Sequence, residues 1–514
     1  MKKYVLLFLG LSFLFYNCSS DDDNDSVVEE AVNPPLPLQP TPVVLTNEIN
    51  DFVWSAMNSW YFWQDEVLEL GDNRFANQDA YFTFLNQFQT PRGLFQTLRS
   101  PKDRFSVIVD DFDILFNSFA GVFTSNGVEF VLTRPPSGGT AVIAVVRYIV
   151  PGSSAAATSI KRGDVIFAIN GTPLFATTDN QGNILSSNLE LFNPDVITLN
   201  FADIVGNELV PNGIDIEVTK TQITENPILI SKVIEGTSIG YLMYNSFTSN
   251  FDDALNAAFG ELKSQGVTDL VLDLRYNLGG SVLSAIRLSS LITGQFAGSV
   301  LSRDKWNDKW QPIFGAEDFF VNEMNGTPLN SLNLNSVYII ATDDSASASE
   351  YVINSLAPYI NVTHIGSATV GKNEFSVTLV DNPGQVFQSN GQPDLPLPFI
   401  VLSENAGFTT VADANPNHKY AMQPLVGTNE NADGFSDFTN GLQPDIEILE
   451  SLGNLGQLGD PEEPLLARAL QEINGTSAKS LSVFVPEHMK IKTIGSSNRL
   501  KPYRDILHKD TFKK

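Results

Sequence analysis

Alternating apolar strands and helices in the second half of this 514-residue chain constrain its fold most strongly. Ile239 to Tyr244 is typical of a buried strand, Asp252 to Gln265 of a helix, and Asp269 to Leu274 of a further strand. The order strand, helix, strand predicts a βαβ unit, in which the two strands run parallel. We therefore predict an α/β core with a largely parallel sheet.

A serine-rich turn joins the next predicted strand and helix. The apolar run Val337 to Ala341 is followed by a turn from Ser345 to Ser349, and a helix from Tyr351 to Leu356 is stopped by Pro358. A hydroxyl on this turn lies at a helix N-terminus, where unpaired N–H groups and the positive end of the helix dipole stabilise developing negative charge. Taken alone, such a turn is more often only a helix N-cap.

A serine nucleophile needs a base, and the sequence offers a lysine for this role. Lys372 follows Gly371 and has Val370 and Phe375 close by, so partial burial would lower its pKa and let the neutral amine accept a proton. Ser-Lys pairs work in this way in other hydrolases. Taken alone, Lys372 is a solvated surface lysine. The histidines, none of which lies in a Gly- or Ser-rich turn, are His364, His418, His488 and His508.

A glycine pair completes the set of motifs. Gly279 and Gly280 follow the strand at Asp269 to Leu274 and precede an apolar run that predicts a helix. A glycine at this point lets a backbone N–H approach a reacting carbonyl without a Cβ in the way. Together with the N–H of Ala348 it would form an oxyanion hole, worth roughly 3 to 4 kcal/mol per donor in proteases. Taken alone, the pair is an ordinary turn.

The combination of the Asp-Leu-Arg-x-Asn-x-Gly-Gly motif ending at Gly280, the Ser-Ala-Ser-Ala-Ser-Glu motif around Ser347 and the Gly-Lys motif at Lys372 resembles the C-terminal processing peptidases, the S41 family of serine proteases. The resemblance implies that Ser347 is the nucleophile, Lys372 the general base, and Gly280 and Ala348 the oxyanion donors. It implies no cofactor and no metal. Several family members have a glutamine four residues after the lysine that orients it; this chain has Ser376, whose hydroxyl is shorter but still capable of a hydrogen bond.

Upstream, part of the chain resembles the second half of a PDZ domain. The stretches that carry the resemblance are Gly152 to Ala156, Ile160 to Ile166 and Ile169 to Leu174. In PDZ domains a loop before the second strand captures a C-terminal carboxylate on backbone N–H groups while the peptide adds a strand. Asn126, Gly127 and Val128 match that loop and are the predicted substrate-binding residues. An ordinary Asn-Gly turn is the alternative.

The N-terminus predicts export. Lys2 and Lys3 precede an apolar run from Tyr4 to Phe15, which is too short to span a bilayer and is typical of a secretory signal. Cys18, the only cysteine, resembles the lipidated residue of a bacterial lipoprotein, with signal cleavage without lipid as the alternative. The acidic run Ser19 to Asp25 is similar to the surface-export signal of Bacteroidota lipoproteins, or is a solvated tether. We predict a cell-envelope protein held at the outer membrane by its lipid.

The net charge of the chain indicates which classes of partner to expect. The net charge of −28 argues against nucleic-acid binding, which needs basic surfaces, and leaves polypeptides as the expected partners. The segment from Lys479 to Lys514 is the exception, with nine Lys or Arg against three Asp or Glu. We predict that this segment is frayed and solvated. Folding onto the acidic body, or contact with anionic lipid or glycan, are the alternatives.

These observations predict a multidomain chain. It combines an N-terminal helical domain, an α+β PDZ domain and an S41-type α/β core with βαβ units. The predicted divisions are a signal peptide at 1–18, an acidic and proline-rich tether at 19–43, the helical domain at 44–106, the PDZ domain at 107–222, the protease domain at 223–475 and a basic tail at 476–514.

The predicted function is serine endopeptidase activity on extended or unfolded polypeptides, with the PDZ domain binding their C-termini. One alternative is a lipoprotein that keeps the fold but binds peptides without cleavage, for which the absent glutamine is the best argument. Another is a glycan-binding lipoprotein that uses the Trp-rich insertion at 302–335. That insertion, or a second one at 382–440, would wall the substrate groove.

Overall fold

The computed structural model describes residues 41–179, 184–381, 386–387, 395–396, 399–402, 414–476, 486–500 and 508. The predicted signal peptide, Cys18 and the acidic run lie outside these residues, as does most of the predicted tether. Within the described residues, no helix is long and apolar enough to cross a membrane.

The N-terminal region is helical, as predicted. Its elements are α1 (Glu48–Trp60), α2 (Gln78–Leu85), α3 (Pro91–Thr97), a strand β1 (Val107–Val109), α4 (Phe112–Phe119) and short 3₁₀ helices at Gln64–Glu66 and Leu68–Leu70. Asn47, Asn77 and Thr90 cap the first three α-helices by accepting a backbone N–H each. The apolar face of α1 is buried against the rest of the molecule, so this helical region is packed onto the core.

A β-sheet module follows. Its elements are β2 (Val122–Ser125), β3 (Val128–Thr133), β4 (Ile143–Ile149), β5 (Val165–Ile169), β6 (Thr172–Pro173), β7 (Ala176–Thr178), β8 (Ile184–Ser187), β9 (Val196–Val205), β10 (Glu208–Thr219), β11 (Thr221–Thr224) and 3₁₀ helices at Ala155–Ala157 and Leu189–Phe192. The main sheet has the antiparallel order β10-β9-β5-β4-β3. Its inner face buries a separate apolar cluster that includes Leu132, Val146 and Ile166.

The core is built from a long alternation of strands and helices. The strands are β12 (Ile228–Val233), β13 (Ile239–Tyr244), β14 (Asp269–Asp273), β15 (Val300–Trp306), β16 (Glu317–Phe319), β17 (Glu323–Met324), β18 (Thr327–Pro328), β19 (Ser336–Ala341), β20 (Asn361–Gly366), β21 (Glu374–Ser376), β22 (Thr378–Asp381), β23 (Val386–Phe387), β24 (Leu395–Pro396), β25 (Phe399–Leu402), β26 (Ala421–Gln423), β27 (Leu425–Asn431) and β28 (Ile446–Glu447). The helices are α5 (Asp252–Ser264), α6 (Val282–Thr293), α7 (Gln311–Phe314), α8 (Ala348–Leu356), α9 (Pro464–Ile473) and a 3₁₀ helix at Ser249–Phe251.

The central sheet has the order β12-β13-β14-β19-β20-β28. From β13 to β28 neighbouring strands are parallel, and β12 is antiparallel at one edge. Strands β13 and β14 are buried almost throughout, which is why they read as continuous apolar runs. The prediction of an α/β core with a largely parallel sheet is confirmed.

Two smaller sheets flank this core. One has the order β16-β15-β27-β21 and the other the order β1-β26-β22-β25. Strand β1 therefore pairs with the core, although it lies in the range predicted for the PDZ domain. The smaller sheets tie the helical region to the strands that follow Lys372.

The large aromatic side chains of the insertion at 302–335 are mostly buried, so they do not form the exposed surface that the glycan-binding alternative requires. Trp306 and Trp310 are 5% and 1% exposed. The ring of Trp310 stacks on Trp60 of α1 with 4.3 Å between centroids. Large aromatic rings bury much apolar area and so stabilise a fold strongly. Here the stacked rings pack the insertion against the helical region.

The described part of the C-terminal segment is packed. It contains a 3₁₀ helix at Glu487–Met489, a strand β29 (Gly495–Ser496) and a short helix α10 (Ser497–Leu500). Strand β29 pairs antiparallel with β3 and extends the module's sheet to β10-β9-β5-β4-β3-β29. His508 is also buried. For these residues the prediction of a frayed terminus is wrong, because backbone pairing holds them on the folded body.

Candidate active site

The three predicted motifs follow three neighbouring strands of the central sheet. The glycine pair comes after β14, the serine turn after β19 and Lys372 after β20. The carboxyl ends of parallel strands meet at one edge of a sheet, the usual position for sites in open α/β folds. The structure thus brings together Gly280, Ser347 and Lys372, which are far apart in the sequence.

Ser347 has a strained backbone at the start of α8. Its φ of 66° and ψ of −113° lie in a region that residues with a side chain rarely occupy. The side chain is 1% exposed, and Ser347 is the N-cap of α8 in a capping box with Glu350. Such strain persists only where the surroundings hold it, and it concentrates at functional sites.

The Glu350 carboxylate holds the serine turn and the lysine loop together. It accepts the backbone N–H groups of Ser347 at 2.7 Å and Lys372 at 2.8 Å. It also accepts the N–H of Gly371 at 2.6 Å and the hydroxyl of Thr369. Burial raises the pKa of Glu350, although these hydrogen bonds favour its ionised form. One buried side chain therefore fixes the relative position of both motifs.

The glycine pair leaves no room for side chains. A Cβ on Gly279 would lie 2.7 Å from the Cβ of Ser347 and 2.8 Å from its Oγ. A Cβ on Gly280 would lie 2.2 Å from the carbonyl oxygen of Phe247. Both glycines have positive φ angles, 111° and 134°. Within the described residues, the N–H groups of Gly280 and Ala348 have no acceptor, as expected for Ala348 at the first turn of a helix.

Lys372 is buried rather than solvated. Its side chain is 2% exposed and lines the same cavity as Ser347, together with Tyr351, Asn354 and Phe438. Its Nζ lies 4.8 Å from the ring centroid of Phe105, which belongs to the helical region. Burial in a medium of low dielectric constant disfavours an ammonium ion, whereas the face of an aromatic ring favours it.

The helical region also holds the loop that carries the lysine. The guanidinium of Arg104 donates hydrogen bonds to the carbonyl groups of Gly371 and Thr439. Arg104 therefore contacts the backbone of the loop at Gly371, and Phe105 contacts the side chain of Lys372. Their sequence context offers no motif, so sequence reasoning missed both.

Ser376 lies in β21, and its hydroxyl donates a hydrogen bond to Oε1 of Gln423. The amide of Gln423 in turn donates to Thr378, and this glutamine is 1% exposed. A glutamine is thus present next to Ser376, although it comes from β26, 47 residues further along the chain. Only the pairing of distant strands reveals it.

The predicted carboxylate loop has its N–H groups engaged. The N–H of Gly127 donates to Oγ of Ser125 at 2.9 Å, and that of Val128 donates to Oδ1 of Asn126 at 3.0 Å. Gly127 is needed here, because a Cβ would overlap Ser153. A carboxylate would have to replace these internal acceptors. The loop nevertheless leads directly into β3, the strand at the edge of the module.

Buried ion pairs connect the module with the site. Arg147 of β4 lies 2.5 Å from Asp344, three residues before Ser347. Arg162 of the module and Arg275, which follows β14, both pair with Glu450. Burial raises the pKa of Glu450, but Arg162, Arg275 and Arg147 outweigh it and hold the pKa at about 2. The module is thereby anchored beside the serine turn and the glycine loop.

His508 reaches the glycine loop from the far end of the chain. Its N–H donates to the carbonyl of Gly280 at 3.2 Å, and its carbonyl accepts the N–H of Val282 at 3.1 Å. Its ring stacks on Phe119 at 4.0 Å. Another histidine of the chain, His364, lies buried on β20. Sequence reasoning missed the placement of His508.

The fold and the site define a multidomain α/β protein in which a strained serine begins a helix beside a buried lysine and a glycine pair. Residues 238–392 match the family model described as Peptidase family S41, and residues 48–107 match Peptidase S41 N-terminal domain. The chain therefore contains a stretch similar to the S41 peptidase domain, preceded by a stretch similar to the S41 N-terminal domain.

Curated relatives are similar to parts of the chain. The C-terminal processing peptidase, chloroplastic, of Tetradesmus obliquus is 25% identical over 278 residues, 51% of this chain and 54% of that protein. A probable CtpA-like serine protease of Staphylococcus epidermidis is 26% identical over 151 residues, 29% of this chain and 28% of that protein. The chain thus spans about half or less of the length of these relatives.

A solved structure covers more of the chain. The crystal structure of a putative S41 protease from Bacteroides fragilis aligns with a TM-score of 0.62 and 24% identity, over 86% of this chain and 99% of that one. At this identity the likeness concerns the fold, which the two proteins share along most of their length.

Proposed function

We propose that this protein is a serine endopeptidase that cleaves extended or unfolded polypeptides, with Ser347 as nucleophile and Lys372 as general base. The observation that carries the proposal is the Glu350 carboxylate, which binds the backbone N–H groups of both residues. Glu350 closes the capping box at the start of α8, and the same carboxylate also binds the lysine loop, so one side chain fixes the two proposed catalytic residues relative to each other. The match to the S41 family supports the same reading.

In the proposed reaction, Oγ of Ser347 attacks the scissile carbonyl carbon while its proton passes to the neutral amine of Lys372. The carbonyl oxygen becomes an oxyanion and is bound by the N–H groups of Gly280 and Ala348. Lys372 then gives the proton to the leaving amine, which releases the first product and leaves an acyl-serine. Water attacks this ester and gives a proton to Lys372, which returns it to Ser347 as the acid product leaves.

The β-sheet module is proposed to act as the PDZ-type element that binds substrate C-termini. Support comes from the edge strand β3, which begins at Val128 directly after Asn126 and Gly127 and accepts a further antiparallel strand. Main-chain pairing at such an edge does not depend on the side chains of the added segment, so it suits substrates of varied sequence. The buried pair of Arg147 and Asp344 supports a position beside the catalytic turn.

The N-terminal prediction completes the proposal. Cys18 would carry a lipid that holds the enzyme at the outer membrane, with the acidic run directing it to the surface. Labelling cells with an alkyne fatty acid is expected to mark the parent protein and leave a Cys18→Ala variant unmarked. Equal labelling, or a parent without label, would contradict the anchor.

Digestion of fluorescein-labelled casein tests the proposed chemistry. The parent is expected to cleave casein, while Ser347→Ala and Lys372→Ala each lose at least about 10³-fold in rate, as removal of a member of such a unit usually costs. Lys419→Ala is a matched control, because this lysine is half exposed and pairs with Asp113 on the surface. Casein binding without cleavage by the parent would leave the binding protein as the better account.

A further inference from the structure

The edge of β3 is occupied by the chain's own C-terminal segment. Leu132 pairs with Gly495, and Val131 with Ser496. The N–H of Ile494 donates to the carbonyl of Leu132 at 2.8 Å. This is the geometry of strand addition, by which an extended peptide joins an exposed sheet edge.

Side chains fix the register of this added strand. Oγ of Ser497 accepts the N–H of Phe130 at 2.8 Å and donates to the carboxylate of Glu129 at 2.7 Å. The N–H of Lys492 donates to Thr133 at 3.3 Å. Glu129 is almost fully buried by the contact. The segment from Lys492 to Ser497 is therefore seated in one defined position.

A second contact lies at the proposed oxyanion loop. The backbone of His508 pairs with the carbonyl of Gly280 and the N–H of Val282, one hydrogen bond in each direction. An extended substrate that crosses the site could use the same two groups. The C-terminal segment thus occupies backbone positions both at the β3 edge and beside the glycine pair.

The charge of the C-terminal segment favours its docking on the protein, and the short length of its strand favours its release. The segment from Lys479 to Lys514 is basic while the whole chain has a net charge of −28, so the two attract each other. The regular pairing is short, since β29 has two residues. A short docked strand opens more readily than the core of a sheet. Because it is tethered, it still competes at an effective concentration of about 1 mM.

We propose that the segment from Lys492 to Ser497 is an internal ligand of the β3 edge, which an extended polypeptide substrate must displace before it is cleaved. The inference rests on the proposed function for its consequence, because His508, further along the same segment, lies beside the proposed oxyanion loop at Gly280. The partner of this surface is an unfolded chain that supplies a strand in place of the protein's own.

A reversible cross-link tests the proposal. Val131 and Ser496 face each other across the strand pair, so Val131→Cys and Ser496→Cys together are expected to form a disulfide. The substitutions are made in the full-length protein with Cys18→Ser, which leaves only the two introduced thiols. Asp203→Cys with Val210→Cys, which face each other in the β9-β10 hairpin, provide a matched disulfide that locks no part of the C-terminal segment.

The locked form is expected to cleave fluorescein-labelled casein at least about tenfold more slowly than the same protein after reduction. The hairpin control is expected to give equal rates in both states. Equal rates for the oxidised and reduced lock would overturn the proposal, because they would show that casein is cleaved while the segment stays bound to the β3 edge. Failure of the disulfide to form would also overturn it, since Val131 and Ser496 would not be opposite each other in solution.

Binding separates this inference from the proposed chemistry. With Ser347→Ala added to the lock, anisotropy of labelled casein is expected to show at least tenfold weaker binding in the oxidised form than in the reduced form. If no form of the protein cleaves casein, the proposed protease activity fails, and the binding difference alone still supports the internal ligand. Equal binding in both states would reject it.

Discussion

Arg147 and Asp344 form a buried ion pair, with 2.5 Å between Nη1 and Oδ2, that joins the β-sheet module to the turn preceding Ser347. Both side chains are almost fully buried, at 5% and 1% exposure. The guanidinium also lies over the ring of Tyr276, 4.4 Å from its centroid. At this point the β-sheet module is therefore packed firmly against the serine turn and supports it.

We expect Arg147→Met to reduce the free energy of unfolding by about 3 to 5 kcal/mol, because it leaves the Asp344 carboxylate buried without its cation. The double variant Arg147→Met with Asp344→Leu should recover much of this loss, since neither charge then remains buried. Thermal unfolding of both variants and the parent measures the effect. A double variant that is less stable than Arg147→Met would contradict it.

Glu350→Gln should reduce kcat by about 10²-fold or more with little change in KM. The amide keeps the shape of the side chain but places an NH₂ group against backbone N–H donors, and each lost bond to a charged acceptor costs about 1.5 to 3 kcal/mol. Steady-state kinetics on a fluorogenic peptide separates the two constants. Glu430→Gln, on the wall of the same cavity, is the comparison.

A rise in KM alone after Glu350→Gln would argue that the carboxylate shapes substrate binding instead. Loss of folding can be recognised independently by circular dichroism. The kinetic split is informative because Glu350 contacts the two proposed catalytic residues through their backbone and not the substrate.

Phe105→Leu should move the rising limb of kcat/KM to lower pH. The ring favours the ammonium form of Lys372 by roughly 1 to 2 kcal/mol when desolvated, so its removal favours the neutral amine that acts as base. Phe105→Tyr keeps an aromatic face and should leave the limb in place. A pH profile of kcat/KM for the parent and both variants tests this, and a shift to higher pH in Phe105→Leu would contradict it. The limb itself is expected well below the pH at which a free lysine titrates, about 10.4.

Acid should destabilise the protein partly through Glu450. Its folded pKa of about 2 is depressed from 4.5, so the carboxylate contributes stability above the unfolded value and loses it as pH falls through about 2. The difference corresponds to about 3 kcal/mol at neutral pH.

Urea unfolding at pH 7, 4 and 3 measures this contribution. Glu450→Gln should be less stable than the parent at pH 7 and show a smaller loss between pH 4 and 3. Glu462→Gln, at an exposed position of the same segment, should follow the parent. Parallel pH dependence of Glu450→Gln and the parent would exclude the buried carboxylate as the cause.

The sequence was most informative where structure is local. The strand at Ile239–Tyr244 has the predicted bounds, and the helix at Asp252–Ser264 ends one residue before its predicted end, because apolar periodicity marks both. The resemblance of the three motifs to the S41 family also implied that the glycine pair, Ser347 and Lys372 belong to one site. Parallel strands deliver their following loops to one edge regardless of the distance along the chain.

The features that sequence analysis did not predict depend on contacts between segments that are distant in the chain. Gln423 contacts Ser376 only because β26 and β27 turn back beside β21 and β22, and Phe105 covers Lys372 only because the helical region packs there. The Trp-rich insertion was expected at the surface, since an amphipathic pattern alone does not show that Trp60 lies opposite Trp310. His508 was missed because a single backbone-paired residue leaves no periodic signal.

Strand order along the chain has a consequence for biosynthesis. The β3 edge is made early, but the strand that covers it, β29, begins more than 360 residues later, close to the end of the chain. While the chain is being synthesised, that edge stays uncovered and open to other extended chains until β29 has been made. A chain that stops before β29 lacks the strand that covers the β3 edge, so it would stay permanently receptive to extended chains.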